Sequence, residues 1–318
     1  GKERPGLALE KAARQRPNAD QRHGLEQRDY YSFRRNEVDS MIAHEVRGVR
    51  DSVGIMDISA FSKIEVSGAD AAPFLDGLIA NRLPQKDGGI ILTHLLNRRG
   101  RIEIELTIVR FAEDRYYLTC AAFFEQRLLD HLARHHQQQD VSFKNLSTDW
   151  AAMTIQGPKS REVLAQHTDS SLDNAGFRWM SAQQITVAGH QLWAMRMSYA
   201  GELGWEFHGP RDVFPDIYNA LWSSGEAYGI VDYGSFAMNA MRMEKMFPGA
   251  GELTNEVTLP EANVMRFVKM DKAHFFGKEH TQTSLDTELP WICSYLVIEP
   301  ESDSEGAIDG HGGEAVLF

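Results

Sequence analysis

Strand-like and helix-like stretches alternate along this chain, but they never settle into a regular strand-helix-strand order. A helical spacing of Val38, Met41, Ile42, Val46 and Val49 comes first. Two strand-like runs follow between Val53 and Val66, then a helical stretch over Ala69 to Leu83. Next is a hairpin, with strands over Ile90 to Leu96 and Ile102 to Phe111 joined by the turn Asn97-Arg98-Arg99-Gly100. A strand at Tyr116 to Thr119 and an amphipathic helix from Phe123 to His136 complete a first unit; Phe124, Leu128, Leu129 and Leu132 share one stripe of that helix. The same vocabulary then restarts. A strand at Ala151 to Ile155, a helix at Pro158 to His167, strands at Ile185 to Val187, Leu192 to Ser198 and Gly204 to His208, and a helix at Val213 to Tyr228 follow in turn. Strands arriving in groups favour antiparallel sheets with helices laid on them, so the sequence predicts an α+β protein of two lobes and not a doubly wound parallel sheet. A helix over Tyr233 to Met246 ends at the breaker Pro248-Gly249-Ala250-Gly251, and Trp291 to Glu299 reads as a further strand.

Composition narrows the partners. The 318 residues include 45 acidic and 33 basic side chains, a formal net charge of -12 that disfavours nucleic acid. Cys120 and Cys293 lie far apart and outside any Cys-x-x-Cys spacing, so a disulfide framework and a zinc ribbon are both unavailable and a reducing, cytoplasmic setting fits. No stretch approaches the roughly 20 apolar residues that a membrane span needs. Residues 1–28, rich in charge and holding Pro5 and Pro17, read as a linker, and residues 29–280 as the body of the protein. The first residue is Gly1 and the last apolar run is Ala315-Val316-Leu317-Phe318, which reads as a piece of a longer protein with a truncated subdomain over 281–318.

Most signatures of familiar chemistry are missing. No Gly-x-Gly-x-x-Gly follows a strand and opens a helix, no phosphate-loop motif occurs, and no Gly-x-Ser-x-Gly elbow is present. His131 and His135 have helical i, i+4 spacing, but Leu132 stands where a zincin needs Glu, so His131, His135 and His136 read as a solvated helix face and no metal site is expected. Arg98, Arg99 and Arg101 make the one compact basic feature, on a turn that is either merely solvated or open to anions. Alternation puts Ile102, Ile104, Leu106 and Ile108 on one strand face and Glu103, Glu105 and Thr107 on the other; by pattern alone Glu105 is an exposed strand carboxylate. Trp205 and Phe207 likewise share a face that Glu206 avoids. Tyr199 precedes a turn at Ala200-Gly201 that can fold it back over the strand carrying Glu206. A tyrosine ring beside a carboxylate suits a flat heterocycle with adjacent N–H donors, one group stacking and the other accepting paired hydrogen bonds.

Three strings, Met56-Asp57-Ile58-Ser59-Ala60-Phe61-Ser62-Lys63-Ile64-Glu65-Val66-Ser67-Gly68, Ile155-Gln156-Gly157-Pro158-Lys159-Ser160-Arg161 and Arg196-Met197-Ser198-Tyr199-Ala200-Gly201-Glu202-Leu203-Gly204-Trp205-Glu206, resemble the folate-binding aminomethyltransferase family, whose founding member is the glycine cleavage T-protein. The resemblance runs from about Tyr30 to the C-terminus. Two more, from Gly234 to Lys245 and from Glu252 to Thr258, are closer to the C-terminal half of dimethylglycine and sarcosine dehydrogenases. The resemblance implies a cloverleaf of ferredoxin-like lobes around a folate channel, with a C-terminal Greek-key barrel of which only the start, at His311-Gly312-Gly313-Glu314, is present. It implies tetrahydrofolate as cofactor, with FAD only in a missing upstream domain to which residues 1–28 would be the junction. The implied activity is capture of an iminium or formaldehyde unit from a methylated amine as 5,10-methylenetetrahydrofolate. A flavoprotein domain or subunit is the implied partner, with the mitochondrial matrix as the compartment in a eukaryote.

Position by position, Tyr199 and Glu206 match the family's pteridine-binding tyrosine and glutamate, and Glu105 matches its catalytic aspartate, one methylene longer here. Phe61 stands where the family lines the pocket or simply fills a core, and Arg101 with Arg98 and Arg99 could meet the folate's glutamate tail. The glycine cleavage proteins carry an Arg-Asp pair where this chain has Met238 and Asn239. Two other readings stay open: a folate-dependent demethylase acting on an O-, S- or N-methyl substrate, and a non-catalytic folate-binding protein like the iron-sulfur assembly relatives. The latter carry Lys-Gly-Cys-Tyr-x-Gly-Gln-Glu, where this chain reads Phe275-Phe276-Gly277-Lys278-Glu279-His280-Thr281 without cysteine.

Overall fold

The hairpin strands are dense in β-branched residues, and the alternation over Ile102 to Ile108 leaves one face to be buried by helices and the other to meet something else. The computed structural model describes residues 37–296. In chain order, α1 is Glu37–Asp51, β1 Gly54–Asp57, β2 Ser62–Ser67, α2 Ala71–Leu78, β3 Ile90–Leu96, β4 Ile102–Ala112, β5 Arg115–Cys120, α3 Glu125–His135 and β6 Ser142–Asn145. There follow β7 Trp150–Gln156, α4 Ser160–Leu164, β8 Ala182–Val187, β9 His190–Met195, β10 Gly204–Pro210, α5 Phe214–Gly225, β11 Val231–Asp232, α6 Ser235–Glu244 and α7 Lys278–Leu285. The strands form a five-stranded sheet, β3-β4-β5-β2-β6, and a six-stranded sheet, β11-β1-β7-β10-β9-β8. Every pairing is antiparallel except β1 with β11.

Each sheet buries one face under helices. Ile64, Ile104, Leu106, Ile108 and Leu118 pack against Leu75 and Leu78 of α2 and Leu128 and Leu132 of α3. Met153, Ile155, Trp205 and Phe207 pack against Val163 and Leu164 of α4 and Ile217 and Leu221 of α5. The opposite faces meet each other: Val109, Phe111 and Tyr117 of the smaller sheet share one cluster with Trp150, Trp193 and Met195 of the larger. Backbone bonds stitch the seam, with Ala182 N donating to Gly88 O at 2.6 Å and Ile90 N to Met180 O at 3.2 Å. Helices, sheet, sheet and helices therefore make four layers, and the α+β class expected from the segment order holds.

The lobes are not sequential halves of the chain. β1 lies in the six-stranded sheet, with Gly54 opposite both Gln156 and Val231, while its neighbour in sequence, β2, lies in the other. The turn at Ile58–Phe61 thus carries the chain from one sheet to the next. Gly157, at φ +125°, is where α4 begins beneath α1, and a Cβ there would collide with the carbonyl oxygens of Ser52 and Val49. The helix expected over Ala69 to Leu83 is only α2, because Ile79 turns extended and bridges to Leu95. Trp291–Leu296 carries no strand, and α7 runs across residue 280. The linker at 1–28 and the barrel start at His311 lie outside the described residues.

His131, expected on a solvated face, is instead buried on the inner stripe of α3, edge-on to Phe276 at 6.1 Å. Burial, aided by His135 and Arg134, lowers its pKa to about 4. The unfolded ring titrates near 6.5, so between these values only the unfolded chain takes up the proton. Stability is unaffected above about pH 6.5 and falls as pH drops toward 4. We predict that denaturant titrations at pH 7.5 and 4.5 show a stability loss in the wild type that exceeds the loss in His131→Leu by on the order of 2–3 kcal/mol.

Candidate functional site

Register decides which side chains enter the space between the sheets. On β4 the face holding Val109 also holds Thr107 and Glu105, and the partners of these residues across the ladder are His94 on β3 and Thr119 on β5. On β2, Lys63 is opposite Thr119 and joins the same face. From the other sheet, Glu206 lies opposite Thr154 on β7 and Met195 on β9, and His208 is two residues along the same face. Glu105 and Glu206 thus project from facing surfaces of two sheets whose seam is sealed at one end by Phe111, Tyr117 and Trp193.

Tyr199 reaches this region through the turn that follows it. Gly201 adopts φ +74°, which suits glycine, and Arg50 at the end of α1 grips the turn: its Nη1 donates to Ala200 O at 2.8 Å and to Glu202 Oε1 at 2.7 Å, while Nη2 bonds Glu244 Oε2 at 2.6 Å. The Tyr199 hydroxyl donates to Pro248 O at 2.7 Å, and its ring lies parallel to Phe247 at 6.2 Å. It packs in one cluster with Tyr233, whose hydroxyl meets Thr154 and Gln156 on the inner face of β7. Burial pushes the Tyr199 phenol well above its usual range, and the negative charges of Glu105 and Glu252 add to the rise. Burial and then Glu206 do the same to Tyr117. Both carboxylates therefore act on the tyrosines that line this space.

Arg242 holds the loop that accepts the Tyr199 hydroxyl. Its guanidinium bonds Asn239 Oδ1 at 2.9 Å, Phe247 O at 2.9 Å and Glu252 Oε1 through both Nη atoms at 3.0 Å, and Glu252 Oε2 accepts from Gly249 N at 2.7 Å. Burial opposes ionising Glu252, but Arg242 and the Gly249 amide outweigh it and its pKa is lowered. Sequence reading singled out neither Arg50, Arg242 nor His94. Arg50 and Arg242 sit on helices where an arginine reads as a surface charge, although Arg242 lies inside a string that carries the family resemblance.

The remaining expected residues are placed less centrally. Phe61 is in the turn between the sheets with its ring 40% exposed, so it does not fill a core; its carbonyl accepts from Lys63 Nζ at 2.7 Å. Arg101 is paired through its backbone with Thr258, and its guanidinium is held on the Glu256 carbonyl, while Arg98 and Arg99 are exposed.

Two buried side chains near the Glu105 and Glu206 carboxylates carry polar atoms without partners. His94 is fully buried and neither ring nitrogen makes a hydrogen bond among the described residues; its Nε2 is 3.5 Å from Glu105 Oε1. Gln156 Nε2 is likewise buried and unpartnered. Such orphans, one beside each carboxylate on its own sheet, suit a polar heterocycle, and among the described residues no group of His, Cys, Asp and Glu could hold a metal.

The model of the GCVT N-terminal domain matches residues 10–272. Mitochondrial dimethylglycine dehydrogenase of Mus musculus is 33% identical over 252 residues, 78% of this chain but only 29% of that protein. An aminomethyltransferase of Thermoanaerobacter sp. (strain X514) is 30% identical over 240 residues, 75% of this chain and 65% of that one. Among solved structures, aminomethyltransferase T of the glycine cleavage system from Bartonella henselae superposes with a TM-score of 0.69 at 25% identity, covering 77% of this chain and 66% of the other. The chain belongs to the folate-dependent aminomethyltransferase family, a family of enzymes, in its GCVT N-terminal domain. It spans less than a third of the dimethylglycine dehydrogenase it matches. No helix among the described residues is long and apolar enough to cross a membrane.

Because Arg242 satisfies two backbone or amide oxygens and one carboxylate in a buried setting, we predict that Arg242→Met lowers the unfolding free energy by about 3 kcal/mol and Glu252→Gln by about 1 kcal/mol, measured by urea titration. Equal, negligible effects would show that the loop from Phe247 to Glu252 is held by other contacts.

Proposed function

We propose that this chain performs tetrahydrofolate-dependent one-carbon transfer. It captures an iminium or formaldehyde unit, derived from a methylated amine of the dimethylglycine or sarcosine class, as 5,10-methylenetetrahydrofolate. The observation that carries the reading is the placement of Glu105 and Glu206 on the inner faces of the two sheets, each beside a buried polar side chain with an unpartnered nitrogen, His94 and Gln156. When bound, tetrahydrofolate supplies the amine nitrogens that take up the one-carbon unit.

The chain's residues divide the work. Glu206 accepts hydrogen bonds from the ligand's N–H groups, and the Tyr199 ring packs beside the heterocycle with its hydroxyl anchored on Pro248. Glu105, on the facing sheet, accepts a proton from an amine and offsets positive charge on the reacting carbon–nitrogen unit. His94 Nε2 lies 3.5 Å from one oxygen of that carboxylate. Phe61 covers the edge where the chain changes sheets, and Arg101, with exposed Arg98 and Arg99 beside it, offers cationic contact to a carboxylate tail. The oxidation that generates the one-carbon unit belongs to a flavoprotein domain or subunit carrying FAD, in keeping with relatives far longer than this chain.

Calorimetric titration of (6S)-tetrahydrofolate tests the binding half. We expect Glu206→Gln to weaken binding by about ten-fold or more, the effect of losing a charge-assisted hydrogen bond. Glu105→Gln should leave affinity within a few-fold while lowering the rate of methylene transfer from formaldehyde by about 100-fold or more, the usual contribution of a positioned general base. A folded wild-type chain without affinity for tetrahydrofolate, or a Glu105→Gln variant of unchanged rate, overturns the respective half.

A further inference from the structure

Behind Glu206 lies a hydrogen-bonded chain that crosses from one sheet to the other. His208, 1% exposed, shares the inner face of β10 with Glu206; its Nε2 is 3.4 Å from Glu206 Oε2, and its Nδ1 is 3.0 Å from the Tyr117 hydroxyl on β5. Tyr117 is fully buried and clamped: Phe111 stacks on it at 5.1 Å, Trp193 stacks on Phe111 at 3.9 Å, and the imidazole meets its ring edge-on at 5.6 Å.

We propose that Tyr117 and His208 form a positioning relay for Glu206, fixing the carboxylate so that it presents its free oxygen to the pteridine. The proposal rests on the reading of Glu206 as the pteridine's partner. The proton arrangement follows from chemistry. The groups facing His208 are Glu206 on its own strand, Tyr117 on β5 and Lys63 on β2; burial and the Lys63 charge disfavour a second proton on the ring, while Glu206 favours it, with burial dominant. A neutral imidazole has one N–H. The carboxylate can only accept, so that N–H is on Nε2, and the Nδ1 lone pair takes the Tyr117 hydroxyl proton. The other tautomer would set a lone pair against the carboxylate and leave the phenol proton, fully buried, without an acceptor. With Oε2 engaged, Oε1 of Glu206 has no hydrogen bond among the described residues and is the oxygen left for a ligand. A hydrogen bond of 3.4 Å is long, and a carboxylate held at one oxygen on a rigid aromatic platform can settle toward a ligand without swinging away.

The test uses the full chain labelled with ¹⁵N-histidine, the His208 signals being assigned by their loss in His208→Gln. The expected spectrum is a neutral ring protonated at Nε2, with the signal shifting when (6S)-tetrahydrofolate is added. In parallel, tetrahydrofolate is titrated calorimetrically into wild type, Tyr117→Phe, His208→Leu and His208→Gln, with thermal melting of each. We expect about ten-fold weaker binding in His208→Leu, about three-fold in Tyr117→Phe, and near wild-type affinity in His208→Gln, whose amide can still donate to Glu206. A ring protonated at Nδ1, a charged ring, or unchanged affinity in folded Tyr117→Phe and His208→Leu overturns the relay. If His208→Leu does not fold, Tyr117→Phe, which removes one oxygen, decides alone. A wild type that binds no tetrahydrofolate brings down the folate reading and the relay's purpose with it; a wild type that binds, beside variants that bind equally, brings down the relay only.

Discussion

The aromatic seam between the two sheets governs the geometry of everything else in this molecule. Phe111 and Tyr117 from one sheet and Trp193 and Trp150 from the other are large and rigid, Phe111 stacking on both Tyr117 and Trp193 while Trp150 meets Tyr117 at a tilt, and they set how the inner faces meet. Two sheets packed along their whole length would need apolar side chains throughout. Here the apolar contact is confined to one region, and beyond it the same faces carry Thr107, Glu105 and His94 on one side and Thr154, Gln156 and Glu206 on the other. Buried polar residues are costly unless they find partners, as Thr154 and Gln156 do in the Tyr233 hydroxyl.

Charge is handled by a few arginines and not by the overall balance. The chain is acidic, yet the turn after Tyr199 depends on Arg50, and the loop over Phe247 to Glu252 depends on Arg242. Each guanidinium satisfies carbonyls and carboxylates at once, a geometry that lysine's single ammonium cannot copy. The two arginines brace Tyr199 from either side, one through its own turn and one through the loop that accepts its hydroxyl. The candidate site is therefore supported by ion pairs outside it, while its own carboxylates stay available.

Much of this was legible in the residues. Alternation in β4 and β10 correctly separated Ile104 and Leu106 from Glu105, and Trp205 and Phe207 from Glu206, because period-two patterning directly records which face is buried. What alternation cannot tell is what the second face meets. Glu105 read as a solvated carboxylate because the opposing sheet is supplied by residues distant in sequence. His94 and Gln156 were invisible for a related reason: a single polar residue inside an apolar run has no period of its own. His131 went wrong because three nearby histidines suggested a polar face, whereas the helix places the first of them inward. The segment order foresaw two lobes but not which strands belong to which, since a four-residue strand such as β1 fits either sheet and is assigned only by its partners.

That assignment of β1 shapes how the chain can come together in time. Gly54 pairs with Val231, so the first strand of the described residues waits for the last of them before its edge is covered. During synthesis all five strands of the smaller sheet are complete by residue 145, although Leu96 and Ile102 are covered only by residues 253–275, whereas β1 stays without strand partners until β7 and β11 arrive. Neither lobe is then a module that could be exchanged or expressed by cutting the chain once; separating them takes two cuts, on either side of the smaller sheet.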